Sequence, residues 1–321
     1  MFEAIKNFAN QFAYEPKIEN IDALKSADKF LVIGMGGSHL AADLLKVWDP
    51  SFDIIIHQDY KLPSLPEGVL KDRLIILSSY SGNTEETLSA FEEADAKNLP
   101  LAIISIGGKL LELAKKNKLP YVQMPNTGIQ PRSAIGFNLM ALLRIMNLER
   151  AITEARQISS ILKPLQFEVE GRELAKRLNN FVPIIYSSLR NFPIAYNWKI
   201  KFNETSKIPA FYNVFPELNH NEMAGFDANN DTEILSKNFY FLLLEDKNDT
   251  PKIKKRMKTL AKLYRDHNLK IEFIKLVDSN NIFYKIFSSL ILSDWTAYYI
   301  AKSYGVESEQ VPMVEEFKKL I

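Results

Sequence analysis

Short, unbroken apolar runs alternate along this chain with longer stretches of helical spacing. FLVIGMGG (30–37) is continuous and ends in glycines, which predicts a strand buried on both faces and not an exposed alternating one. The same reading applies to DIIIHQ (53–58), LIILSS (74–79), LAIISIG (101–107) and YVQMP (121–125). Helical pattern fills the intervals at about 39–47, 84–97 and 110–117, and a short amphipathic helix is expected over 2–13. Strand–helix–strand alternation of this kind implies right-handed crossovers and a parallel sheet covered on both sides.

From about 134 to 174 the pattern is largely helical, interrupted at Pro164. The domain boundary is expected here, giving domains over 1–150 and 151–321. Beyond it the strand pattern resumes at VPIIYSS (182–188), FYFLLLED (239–246) and IEFIKLV (271–277). The halves can be laid side by side: FLVIGMGGS with FVPIIYSSL, RLIILSSYSG with NFYFLLLED, LPLAIISIG with LKIEFIKLV. The expected fold is α/β, with two similar doubly wound, flavodoxin-like parallel-sheet domains.

Composition narrows the chemistry. With 321 residues the chain is long enough for two cores. Forty basic residues against 39 acidic ones leave a net charge of +1, so no long-range field draws it to nucleic acid or anionic lipid. An anionic ligand must be held locally by a few placed donors. There is no cysteine, which excludes thiol nucleophiles, disulfides and thiolate metal sites. No two of the four histidines have metal-ligand spacing, so no metal and no cofactor is expected. The opening residues carry Glu3 and lack an unbroken apolar core, and no apolar run reaches the roughly 18–20 residues of a membrane span. A cytoplasmic protein is expected, with no membrane or nucleic-acid partner.

Two loops stand where a strand hands over to a helix. In GMGGS (34–38), glycines let the backbone approach a ligand and helix-start amides point N–H groups outward; Gly36, Gly37 and Ser38 are the candidate donors. A dinucleotide loop is disfavoured because its third glycine would fall at His39, although Asp59 lies where a ribose-binding acid would stand. SSYSGNTEET (78–87) gathers Ser78, Ser79, Ser81 and Thr84 around Gly82. Hydroxyls and helix-start amides suit a phosphate dianion, assisted by the roughly +0.5 charge of a helix N-terminus. The loop lacks the Lys-Ser/Thr pair of a nucleotide P-loop.

SYSGNTEET resembles the signature loop of the sugar isomerase (SIS) domain, and GMGGS its first loop. PRSAIGF (131–137), NETSKIPAF (203–211) and FPELNHNEMAGF (215–226) resemble bifunctional phosphoglucose/phosphomannose isomerases, and the similarity runs from about residue 30 to the end. The resemblance implies aldose–ketose isomerisation of hexose 6-phosphates, the phosphosugar lying between two SIS-type domains. It implies Glu204 as the base that moves a proton between C1 and C2, His220 as ring opener, and Arg132 as the cation facing the enediolate. Lys302, in DWTAYYIAKSYG (294–305), is aligned by position as the lysine that assists ring opening, with Thr296 as a sugar contact. NETSK departs from the family pattern at Thr205, where an asparagine is expected. In relatives the histidine can come from a partner subunit, which implies a homodimer.

Two rivals share the fold. A non-catalytic phosphosugar sensor would need the phosphate loops without Glu204, His220 and Arg132, and no basic DNA-reading motif is present. Among other SIS enzymes, glutamine-dependent glucosamine-6-phosphate synthesis needs an N-terminal cysteine. Phosphoheptose and arabinose-5-phosphate isomerases usually need only one such domain.

Overall fold

The computed structural model describes residues 1–227 and 231–320. The chain divides into two compact units, Asn7–Ile161 and Met1–Lys6 with the chain from Leu162 onward.

In the first unit, strands β1 (Phe30–Ile33), β2 (Ile54–His57), β3 (Leu74–Ser78), β4 (Leu101–Ser105) and β5 (Tyr121–Gln123) form one parallel sheet in the order β2-β1-β3-β4-β5. Phe30 of β1 lies opposite Ile54 on one side and Leu74 on the other. Every residue of β1, β3 and β4 is buried, whereas the edge strands β2 and β5 are partly open. That is why the central strands read as unbroken apolar runs: both faces are covered, so neither parity of side chain meets water. On one face Leu31, Ile33, Ile75, Leu77 and Ile103 pack with Phe91 and Leu110, from the helices Glu85–Ala96 and Gly108–Lys116. The helix Ile135–Ile145 packs on β4 and on the helix Leu40–Trp48.

In the second unit, β6 (Val182–Ser188), β7 (Phe211–Phe215), β8 (Phe239–Glu245) and β9 (Lys270–Lys275) are parallel in the order β7-β6-β8-β9. This repeats β2-β1-β3-β4, so β6, β8 and β9 take the places of β1, β3 and β4, as the side-by-side reading of the halves anticipates. The fifth strand of the first sheet has no counterpart among the described strands of the second. The helix Ile282–Tyr304 packs against Glu168–Leu178 and Phe192–Glu204.

Two local expectations change. The segment 2–13 is not one helix: Phe2–Lys6 joins the second unit, where Phe2 lies edge-on to Trp295 at 5.2 Å, and Phe8–Ala13 is a 3₁₀ helix of the first. Strand β7 was not expected. It is an edge strand with only Phe215 fully buried and a polar Asn213 at its centre, so it lacks a continuous apolar signature. Among the described residues no helix is long and apolar enough to cross a membrane.

Candidate active site

In the first sheet, the crossover from β1 runs outward to β2 on one side, while β3 lies on the other. Between β1 and β3 the strand order reverses, the position beyond the carboxyl ends of the strands where open α/β sheets place their ligands. Both candidate loops are there: 34–38 follows β1 and 79–84 follows β3. Hydrogen bonds lace them together. Ser78 Oγ donates to the Ser38 carbonyl at 2.8 Å, and the Tyr80 N–H donates to Ser38 Oγ at 2.9 Å. Ser79 Oγ accepts from the Gly82 N–H at 3.1 Å and shares a 2.8 Å bond with Thr84 Oγ1. Ser81 is exposed and accepts from the Asn83 N–H at 3.2 Å, while Thr84 is the N-cap of the helix Glu85–Ala96. The result is a ring of hydroxyls and amides at the start of a twelve-residue helix, whose unpaired first-turn N–H groups favour an anion.

A third loop, after β4, locks the second in place. Gly82 sits at φ +72°, and a Cβ there would fall 1.8 Å from the Gly107 carbonyl oxygen, so only glycine fits. Asn83 Oδ1 accepts from the Lys109 N–H at 3.0 Å, and the Leu110 N–H reaches the Gly82 carbonyl at 2.9 Å. Arg132 arrives from a 3₁₀ turn, Pro131–Ser133, that lies directly against the first loop. A Cβ on Gly37 would stand 2.6 Å from the Pro131 carbonyl carbon and 2.8 Å from the Arg132 nitrogen. The Arg132 side chain is 2% exposed, so its fixed positive charge is held in a desolvated setting beside the two candidate loops.

In the second unit Glu204 closes the helix Phe192–Glu204 and is half-buried. The chain just beyond it is tied down: Ser206 Oγ donates to the Ala297 carbonyl at 2.9 Å, and Lys201 forms a buried 2.5 Å ion pair with Asp294. His220 is exposed on a short 3₁₀ segment after β7, its N–H bonded to the Glu217 carbonyl at 2.8 Å. The second sheet has its own reversal point, between β6 and β8, and it is filled from within. There the Asp246 carboxylate accepts from Lys285 Nζ at 2.8 Å, Asn191 Nδ2 at 3.1 Å and the Asn248 N–H at 2.9 Å. Burial opposes its charge, yet the Lys285 ammonium and these two donors hold its carboxyl below the ordinary aspartate range. Asp249 beside it is pushed the other way by burial and by the Asp246 charge, against the pull of Ser188. A side-chain anion thus stands where the first unit presents open donors.

Over residues 167–321 the chain matches the family described as the bacterial phospho-glucose isomerase C-terminal SIS domain. It is 34% identical to a bifunctional phosphoglucose/phosphomannose isomerase of Caldicellulosiruptor bescii, covering 99% of this chain and 98% of that one. It is 30% identical to the enzyme of the same name from Aquifex aeolicus, over 99% and 97% of the two chains. The chain belongs to the bifunctional phosphoglucose/phosphomannose isomerase family.

Its fold is shared more widely. The C-terminal domain of glucosamine-fructose-6-phosphate aminotransferase from Francisella tularensis superposes with a TM-score of 0.69 at 15% identity, over 96% of each chain. In this family member the first unit brings together Gly36, Gly37, Ser38, Ser79, Ser81, Thr84 and Arg132. Glu204 and His220 belong to the second unit, on separate elements. Thr296 is fully buried, and its hydroxyl donates to the Leu292 carbonyl of its own helix at 2.8 Å. Lys302 is exposed on the same helix. Its ammonium lies over the rings of Tyr298 and Tyr299, in a groove shared with Arg172 and Asn179 of the Glu168–Leu178 helix and its C-cap. Sequence reasoning missed Asn138, whose buried amide donates to the Ser38 carbonyl at 3.2 Å and to Ser78 Oγ at 2.9 Å. It also missed the Gly107–Gly108 loop. The pair of glycines directly after a buried strand was the available signal for that loop.

Proposed function

We propose that the protein interconverts glucose 6-phosphate, mannose 6-phosphate and fructose 6-phosphate by moving a proton between C1 and C2 through an enediolate. The observation that carries this reading is the pair of hydroxyl-rich loops meeting at the β1–β3 reversal, with a buried arginine packed against them. In this scheme Gly36, Gly37, Ser38, Ser79, Ser81 and Thr84 hold the phosphate with backbone N–H groups and hydroxyls. Arg132 stabilises the negative charge that develops on the enediolate oxygens, a term that grows in a desolvated setting. Glu204 is the base, a half-buried carboxylate at the end of the helix Phe192–Glu204. His220 moves the ring proton, since imidazole can donate to the ring oxygen and accept from the anomeric hydroxyl. Because the two aldoses differ only in configuration at C2, rotation of the enediolate about C2–C3 lets the one base serve both.

The self-filled reversal point of the second sheet supports one phosphosugar per chain. His220, exposed at the surface of the single chain, supports a homodimer in which it serves the partner's substrate. Hexose 6-phosphates are intracellular metabolites, which suits a cytoplasmic protein. The test is incubation with fructose 6-phosphate and separate measurement of both aldose products. Formation of both is expected. Tight phosphosugar binding with no product would replace this reading with that of a sensor.

A further inference from the structure

Within FPELNHNE, the motif that carries the family resemblance most specifically, only His220 has a chemical role. Glu222, two residues on, is half-buried, and its carboxylate is fully engaged. Oε1 accepts from the Tyr186 hydroxyl at 2.5 Å, and Oε2 accepts from Asn213 Nδ2. Both partners are fixed. Tyr186 is fully buried in β6, and burial, reinforced by Tyr264 and the Glu222 charge, raises its hydroxyl so far that it stays a donor. Asn213 lies in β7, and its own Oδ1 accepts from the Val214 N–H at 2.8 Å, which orients the amide so that its NH₂ points at Glu222. Two donors from two adjacent strands converge on one residue, and the Glu222 carboxylate meets each with its own oxygen.

The rest of the loop is built around that anchor. Upstream of His220, Leu218 is fully buried, and Arg256 donates to Asn219 at 3.3 Å. Immediately downstream, Asn221 donates to Glu217 at 2.8 Å and accepts from the Glu222 N–H at 2.6 Å, closing the turn across His220. Beyond Glu222, the Phe226 ring packs edge-on to Phe241 at 4.8 Å and Phe239 at 5.6 Å. His220 is therefore an exposed side chain on a rigid crest, held from below by Leu218 on one side and Glu222 on the other. An ordinary surface loop would not need a carboxylate bound to two strands of the sheet to present one imidazole.

We propose that Glu222 is a positioning residue for His220, fixing the imidazole for ring opening through its bonds to Tyr186 and Asn213. The proposal rests on the reading of His220 as the ring-opening group. A displacement of about 1 Å in a catalytic group can cost on the order of 100-fold in rate. Removing the anchor is therefore expected to lower kcat about 10- to 100-fold, with KM changed less than about twofold.

The test compares Glu222→Ala and Tyr186→Phe, each in the native and the His220→Ala background, using fructose 6-phosphate turnover and thermal midpoints. Tyr186→Phe removes one oxygen from a packed ring and keeps the proposal testable if Glu222→Ala does not fold. If Glu222 acts through His220, each change lowers kcat in the native background and costs less than about twofold more once His220 is gone, because the two losses are not additive. An equal loss in both backgrounds would make Glu222 a general structural residue and overturn the proposal. Full kcat in both variants, with His220→Ala impaired, would overturn the proposal and leave the role of His220 standing. Full activity of His220→Ala itself would remove the reading on which the proposal rests.

Discussion

Replacing Gly37 by alanine tests whether close approach of the first loop to the Arg132 turn builds the anion site. The new methyl would lie 2.6 Å from the Pro131 carbonyl carbon, 2.8 Å from the Arg132 nitrogen and 2.8 Å from Pro131 Cβ, all well inside van der Waals contact. Two of the three are backbone atoms, so no rotamer change relieves the clash and one loop must move. Overpacking of this kind costs about 1–3 kcal/mol. In a protein of this size each kcal/mol lowers the thermal midpoint by about 2–4 °C. A drop of about 2–12 °C is expected. If most of the shift falls on the first loop, proposed to hold the phosphate, kcat/KM should fall by about 5- to 150-fold, since 1.36 kcal/mol is tenfold. Gly36→Ala is the control. Gly36 has φ +51° but no atom within 4 Å of its added Cβ, so it meets only the roughly 1–2 kcal/mol penalty of a left-handed residue. Thermal scans without ligand, paired with steady-state assays on fructose 6-phosphate, separate the two. The reasoning fails if Gly37→Ala keeps wild-type stability and activity, because the loops would then not be in the contact described.

Three further outcomes are expected. Asp246→Ala leaves the Lys285 ammonium buried and unpaired at 2% exposure, so urea unfolding should show a loss of about 3–5 kcal/mol, far more than a surface pair would give. Asp249 is raised, so the fold binds its proton more tightly than the unfolded chain does, and its contribution falls as pH rises from the unfolded value of about 3.9 through the folded one. Asp249→Asn should therefore stabilise relative to wild type at pH 7 and lose that advantage near pH 3, and a gain growing toward acid pH would contradict the assignment. Lys302→Met should leave kcat/KM within about threefold of wild type, because its ammonium rests on Tyr298 and Tyr299 in a groove shared with the Glu168–Leu178 helix; a loss of 100-fold in steady-state assays would place it in the site.

What could be read from the sequence was what depends on neighbouring residues. The central strands were legible because burial on both faces leaves no polar position, as in LIIL of β3. The two candidate loops after β1 and β3 were legible because glycine and hydroxyl residues cluster at a strand end. Strand β7 was not, since an edge strand built from FYNVF takes its conformation from its pairing with β6. The contact between Gly37 and the Arg132 turn joins segments far apart in the chain, and no local pattern encodes it. Thr296 was placed only by its distance from Lys302 along the chain, and that spacing does not show that its hydroxyl bonds back to the Leu292 carbonyl of its own helix. Glu222 was hidden for a similar reason, because its significance lies in Tyr186 and Asn213 on two other elements.

The central claim is that a carboxylate, Glu204, carries a proton between adjacent carbons of a phosphosugar gripped at the β1–β3 reversal. Its most direct test is fructose 6-phosphate turnover in heavy water by wild type and Glu204→Gln, with phosphosugar binding measured in parallel. Wild type should place solvent deuterium at C2 of the aldose products. The variant should bind the sugar normally and lose at least 100-fold in both turnover and exchange, the scale of general-base catalysis. Turnover near the wild-type rate in Glu204→Gln would contradict the account.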